Sequence, residues 1–513
     1  MQTFFQDLWA TLRIAHSNFN ARYGALFNIL VCSVIAAAVL IALVRAIAAG
    51  RKGKKSASPL AARTPDPQLT QRAAESLAQA LQIPSVTGDK RQLAAMGRFL
   101  RERYPRCMET MDCADLPGGS ILLRWSAGED SDLEPALFCG HLDVVPGGDG
   151  WTVCEPFDGL RENGRIYGRG AMDCKGVIIA LMEAAEALIA QGYAPRRDLY
   201  FAFGCDEETG GEQGARAIAH SMAAQGLKFD LVLDEGGAIY DKALSRGRSH
   251  SAAYVGMAEK RQCDLRVTVS CPGGHTSAPR RNTALGVLSE AVCRIATAQP
   301  HHRLSPIVRN YLDDNIATFS FGKRFVVANR VLMKLFVTRA FRDDPEVLAL
   351  VRSTIVPTMV DGSFPAKNIL PSTARAFFNA RLLPGDTPEK LLKYVKELLA
   401  DLPVEVELLY AGEESFTTSR KTPMYRLLRS TLEELYPQLP CIPTLMTMSS
   451  ESAAKPPTMG TKLSRENFVV LMRMPSAALV TIPWIAAIPV NTVTARPVRK
   501  TAPFRRKVAS FLT

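Results

Sequence analysis

Histidine is scarce in this chain. Seven occur in 513 residues (His16, His141, His220, His250, His275, His301 and His302), and none follows His302, so no imidazole ligand can come from the C-terminal third. The eleven cysteines are odd in number and show no zinc-finger spacing. Several sit in apolar runs, where thiols pack as small hydrophobes, so a reducing compartment is expected rather than a disulfide framework. Long apolar runs are missing apart from one, residues 26–44, which carries no charge. That run is long enough to cross a bilayer, and too long and too late in the chain for a cleaved signal peptide. Arg45, Arg51, Lys52, Lys54 and Lys55 follow it, against Arg13 and Arg22 before it. This bias predicts a single-pass membrane protein whose body faces the cytoplasm. Acidic residues nearly vanish after Ser449, where ten Lys/Arg meet only Glu451 and Glu466. The tail therefore supplies +8 of the net +12, and the near-neutral body excludes a nucleic-acid-binding surface.

What is present is concentrated between Leu137 and Gly237. Four clusters each follow an apolar run or a Gly-rich turn: His141 and Asp143 after ALFCG, Asp173 in GRGAMDCKG, Asp206-Glu207-Glu208 after LYFAFGC, and Asp234 after FDLVL. His141 and Asp143 stand two apart, so an extended segment turns both to one side. The periodic run Val177 to Leu188 reads as a helix opening just after Asp173. The apolar runs read as buried parallel strands, and ligands in open α/β sheets gather at strand carboxyl ends. One imidazole with several carboxylates converging there suits a divalent metal of zinc type. A metal-dependent hydrolase is the function this pattern predicts.

GHLDVVP, IYGRGAMDCKG, FGCDEETGG and LDEGG together closely resemble the M20 metallopeptidases, on the carboxypeptidase S and N-acyl-amino-acid hydrolase side. The resemblance runs from roughly Pro67 to Met446. It implies two zinc ions, with cobalt as a substitute. His141 and Asp234 would each hold one metal, Glu208 the other, and Asp173 would bridge them. Glu207 would be the general base and Asp143 a carboxylate orienting His141. It further implies an inserted lid carrying His275, which would polarise the scissile carbonyl, and Asn368 and Arg381, which would bind substrate. An Arg fork suits a terminal carboxylate. The implied substrate is a peptide or N-acyl amino acid, and the implied partner is a second copy joined through the lid.

The expected fold class is α/β: a doubly wound zinc-peptidase core with an inserted α+β lid/dimerisation domain and an N-terminal transmembrane helix. The expected divisions are an N-terminal segment (1–25), the transmembrane helix (26–44), a linker (45–67), the first part of the catalytic domain (68–262), the lid (263–409), the second part of the catalytic domain (410–448) and an atypical basic tail (449–513). Helices are expected over 69–81, 90–104, 282–298 and 387–399, and strands over 120–125, 135–142, 262–271 and 374–383.

The resemblance breaks at Met448-Ser449-Ser450-Glu451, where the family has a Gly-Gly-Thr-Asp-type loop and, near its end, a second histidine ligand. Here that histidine is absent. The break is read as a reading-frame shift near Met448, the alternative being a divergent tail that contacts anionic lipid. Two functions remain in view: a membrane-anchored hydrolase cleaving an amide beside a free carboxylate, and an impaired peptide-binding scaffold without a full metal site.

Overall fold

The computed structural model describes residues 29–50, 66–129, 131–240, 252–331, 336, 345–363, 366–412, 416–436, 439–446 and 468–470. They divide into two compact units. One joins the N-terminal helix with residues 312 to 343, and the other holds residues 56 to 311 and 344 to 513.

In the first unit, α1 (Ile29–Gly50) is the apolar helix, with mean hydropathy 2.7. Residues 26–28 lie outside the described set, and the helix runs on to Gly50 through residues expected as linker. Ala46, Ala48 and Ala49 are good helix formers.

The second unit is built on a nine-stranded mixed sheet. Its order is β1 (Asp112–Asp115), β2 (Ile121–Trp125), β6 (Leu199–Gly204), β3 (Ala136–His141), β7 (Leu231–Asp234), β17 (Phe468–Val470), β9 (Ala252–Glu259) and β16 (Cys441–Met446), with β8 (Ala238–Tyr240) on β9. β4 (Leu160–Glu162) and β5 (Arg165–Tyr167) form a separate hairpin. β3, β6 and β7 are parallel, as their continuous apolar runs predicted. Flanking helices are α2 (Pro67–Leu81), α3 (Lys90–Arg103), α4 (Pro105–Thr110), α5 (Lys175–Ala190) and α6 (Ala215–Ala224). α2 starts where Asp66 accepts from the Gln68 N–H with Pro67 in the first turn, and α3 where Asp89 accepts from Arg91 and Gln92. Leu77, Leu81, Met96, Leu100, Ile178, Met182, Phe201 and Phe203 close the core between these helices and the sheet. Polar anchors sit inside that layer. Glu183 and Glu186 of α5 are fully buried and meet Arg72 and Arg106 respectively.

A second, four-stranded antiparallel sheet has the order β12 (Thr354–Gly362), β14 (Thr373–Leu382), β10 (Arg261–Ser270) and β15 (Glu405–Ala411). Its inner face alternates as expected, Cys263, Leu265, Val267 and Val269 being buried on β10. α7 (Ala284–Thr297) and α11 (Pro388–Leu398) cover that face through Leu288, Ile295, Leu391 and Val395. The ribbon of β11 (Gly274–His275) and β13 (Ile369–Leu370) projects from it. The remaining helices are α8 (Pro306–Asn315), α9 (Phe321–Ala328), α10 (Pro345–Val351) and α12 (Pro423–Leu435). β17 is a finding against expectation, since the basic tail had shown no strand frame. It pairs parallel with β7 over Phe468 to Val470.

Candidate active site

Three parallel strands end at one edge. β3 closes on His141, which lies level with Gly204 at the end of β6, and β7 closes on Asp234. Asp206, Glu207 and Glu208 follow β6, and Glu207–Thr209 forms one 3-10 turn that Gly210 ends at φ 108°. Asp173 precedes α5, and its peptide bond to Cys174 is cis.

His141 is wholly buried. Its Nε2 lies 2.9 Å from Asp173 Oδ1 and 3.7 Å from Glu235 Oε2. Its Nδ1 bonds the backbone carbonyl of Asp143 at 2.9 Å, while the Asp143 carboxylate stands farther off at 3.4 Å. Both the Asp143 carbonyl and, at longer range, its carboxylate face the imidazole, and the carboxylate has further partners. It accepts from the Thr87 hydroxyl at 2.7 Å and from the Glu207 and Glu208 N–H groups at 3.1 and 3.3 Å. Asp143 thus ties the Glu207-Glu208 turn to the end of β3. Its carboxyl is held below the ordinary range because His141, Thr87 and the Glu207 amide outweigh its burial.

The residues around this knot are fixed from outside. Ser85 donates to the Leu142 carbonyl at 2.7 Å, and Val86 bridges to Val144. The buried Lys175 ammonium donates to the carbonyls of Ala80 and Ile83 at 3.0 and 2.6 Å, tying the end of α2 to the start of α5. The Cys174 thiol accepts the His141 N–H at 3.0 Å. Asp206, by contrast, anchors its own loop. It accepts from the Gln213 and Gly214 amides at 2.8 and 2.7 Å, and a Cβ on Gly214 would collide with its carboxylate.

Burial pushes the Glu207 carboxyl up to about 8, reinforced by Glu235, Glu208 and Asp173 and opposed by His141. Burial also raises Glu208, with Asp173 adding to it. For His141, burial favours the neutral ring, but Cys174, Asp143 and Asp173 together outweigh it and carry the imidazole well above its ordinary value. These are the marks of crowded negative charge around one imidazole.

Donor atoms of His141, Glu207 and Glu208 lie within 4.8 Å of one another, as do those of His141, Cys174 and Glu235. Of the expected ligands, His141, Asp173 and Glu208 are therefore brought together. Asp234 is buried at the same strand end, and its Oδ1 accepts from the Glu235 N–H at 2.9 Å. Neither donor group includes it; Glu235 stands there instead. Glu235 was visible in LDEGG and Thr87 in the loop after Ser85, but nothing in their spacing singled either out. His275 and Asn368 do meet, Nε2 to Nδ2 at 3.3 Å, and Ser277 holds the other ring nitrogen at 2.8 Å. Arg381 lies on β14 opposite Gln262 and Thr354.

An imidazole and several carboxylates meet here at the carboxyl edge of a parallel sheet, the place where open α/β sheets build their sites. The profile of Peptidase family M20/M25/M40 matches residues 137–461, and the chain belongs to that family. It is 33% identical over 361 residues to a probable carboxypeptidase S-like 2 of Dictyostelium discoideum, covering 69% of this chain and 68% of that protein. It is 32% identical to the N-fatty-acyl-amino acid synthase/hydrolase PM20D1 of Mus musculus, over 71% and 74% of the two chains. Among solved structures, the M20 metallo-carboxypeptidase Sso-CP2 of Sulfolobus solfataricus aligns with TM-score 0.55 at 18% identity, over 78% of this chain and 90% of that one. Human carnosine dipeptidase 1 aligns with TM-score 0.57 at 15% identity, over 82% and 98%. These structures share the fold. The protein is a metallopeptidase/amidohydrolase of the M20 family, a group of metal-dependent and typically zinc enzymes.

Proposed function

We propose that this protein is a membrane-anchored zinc hydrolase that cleaves the amide bond of an N-acyl amino acid or peptide beside a free carboxylate. The observation that carries the reading is geometric: donor atoms of His141, Glu207 and Glu208 lie within 4.8 Å of one another at the strand ends, inside the span that matches the family. The donor set fits the metal. One imidazole and several carboxylates within 4.8 Å of each other offer what zinc takes. His141, Asp173, Glu208 and Asp234 would hold two zinc ions or cobalt, with Glu235 beside Asp234 as a further donor. Bound there, the metal would polarise the amide carbonyl and acidify water.

The chain's own groups do the rest. Glu207 takes a proton from water and returns it to the leaving amine. Asp143 fixes the turn that aims Glu207. His275, which meets Ser277 and Asn368, would donate to the carbonyl oxygen, and Arg381 would receive the free carboxylate, whose two oxygens suit a guanidinium fork. The sheet of β10, β12, β14 and β15 serves as the lid. Its edge strand β12 exposes Val356, Met359 and Val360, which supports a homodimer formed there. The PM20D1 relatives' name supports an N-acyl amino acid as substrate, and the carboxypeptidase S-like relatives support a peptide. α1 supports the anchor. The lack of any histidine after His302 favours a second reading, a protein whose metal site is impaired.

Purified protein assayed for bound zinc and for hydrolysis of N-acyl amino acids and dipeptides separates the two readings. Glu207→Gln should cut turnover by about 10²–10⁴-fold and leave zinc content unchanged. Comparable rates in the variant remove Glu207 from the mechanism.

A further inference from the structure

Cys174 is wholly buried at the head of α5, one residue after Asp173. A side chain in that position commonly caps its helix, and this thiol makes no such bond. It lies instead against the end of β3. Its Sγ accepts the His141 N–H at 3.0 Å and donates to the His141 carbonyl at 3.5 Å. A Cβ placed on Gly140 would stand 3.5 Å from the same sulfur.

The sulfur also belongs to a set of donors. One ligand atom each from His141, Cys174 and Glu235 lie within 4.8 Å of one another. His141 is fully buried too, and the Glu235 side chain is 16% accessible. His141 Nε2 and Glu235 Oε2 are 3.7 Å apart, too far for a hydrogen bond. That spacing is close to the roughly 3.3 Å between tetrahedral ligands that each stand about 2.0–2.1 Å from zinc. Among the described residues, no other cysteine enters such a set. Cys107, Cys139, Cys205, Cys263 and Cys441 are buried as well, so burial alone does not produce the arrangement.

We propose that Cys174 is a metal ligand: its sulfur joins His141 and Glu235 on one divalent ion, which makes that centre a mixed nitrogen, sulfur and oxygen site. The proposal rests on reading this strand edge as a zinc site. Without the ion, burial keeps the thiol protonated. The ion would displace that proton to water, as it does for thiol ligands in general. Sulfur also tilts the choice of ion, because thiolates select zinc over magnesium, calcium or manganese. The alternative is a thiol that only braces the His141 backbone, and the metal would then have no sulfur neighbour.

The test uses the full chain in detergent, stripped of metal, reloaded with zinc and measured by X-ray absorption at the zinc edge. The expected result is a sulfur neighbour at about 2.3 Å beside nitrogen and oxygen neighbours, lost in Cys174→Ser. Cobalt in place of zinc should show the same contrast, with sulfur-to-cobalt charge-transfer absorption in the wild type and none in the variant. If circular dichroism shows that Cys174→Ser does not fold, His141→Gln takes its place, and the sulfur signal should vanish with the imidazole. Bound zinc with only nitrogen and oxygen neighbours overturns the sulfur ligand and leaves the zinc hydrolase standing. No bound zinc in the wild-type chain overturns both. A sulfur signal that survives Cys174→Ser or His141→Gln comes from another cysteine and also overturns the proposal.

Discussion

Thr87→Val removes one hydroxyl from the floor of the active site and keeps the side chain's shape. That hydroxyl donates to Asp143 Oδ2 at 2.7 Å, the shortest of three bonds to a carboxylate whose other two hold the amides of Glu207 and Glu208. A hydrogen bond to a charged group contributes about 1.5–3 kcal/mol. Each ~1.4 kcal/mol of transition-state stabilisation is tenfold in rate. The full effect is then about 10–150-fold, and the low end is expected because two amides still fix the carboxylate. The loss should fall on kcat, since the hydroxyl faces Asp143, with KM within about twofold of wild type. Thr87→Ser should recover most of it. In Asp143→Asn, adding Thr87→Val should cost little more, because both act through one carboxylate. Steady-state kinetics on an N-acyl amino acid, with zinc content measured in each variant, make the cycle. Fully additive losses, or a Thr87→Ser variant as slow as Thr87→Val, would refute a positioning role.

Two further outcomes follow from other parts of the molecule. Lys260 is buried, donates to the carbonyls of Ala349 and Arg352, and is pulled down by burial to about 7 from an ordinary 10.5. Between those values the unfolded chain binds the proton and the folded chain does not, so stability rises with pH across that window. Urea unfolding at pH 7 and pH 9 should show a smaller difference for Lys260→Met than for wild type; an equal difference would exonerate this lysine. Replacing the residues after Thr447 with a family-like ending that carries the histidine should raise metal affinity or activity by at least about 10–100-fold. Two tightly held metals and full activity in the unaltered chain would show that another residue completes the site.

The sequence made the strands legible where one physical demand governed them. β3 and β6 are buried on both faces and β7 is half-buried on one, so their unbroken apolar runs and the acids just past them were plain to read. β10 and β14 alternate because one face is covered, and they too fell within a residue of expectation. What escaped were relations between distant segments. Nothing near Thr87 reveals that its hydroxyl closes on Asp143, 56 residues away. Glu235 and Asp234 are adjacent carboxylates, and only the turn after β7 decides which one faces His141. Likewise, composition read residues 45–67 as a linker isolating the anchor. It missed that α1 stays helical to Gly50 and that its unit takes in residues 312 to 343.

The position of β17 has a consequence for the order in which the protein is made. Phe468 to Val470 lie between β7 and β9, pairing with both, yet Val470 is synthesised 236 residues after its partner Asp234. At about 5–20 residues per second, β7 waits roughly 10–50 s on the ribosome with its outer hydrogen-bonding edge unmet. Until then the β1–β7 half and the β9–β16 half are separate sheets with no strand to join them. A message truncated between codons 447 and 468 would release not a slightly shortened enzyme but two half-sheets, each presenting an open edge to chaperones or to other nascent chains.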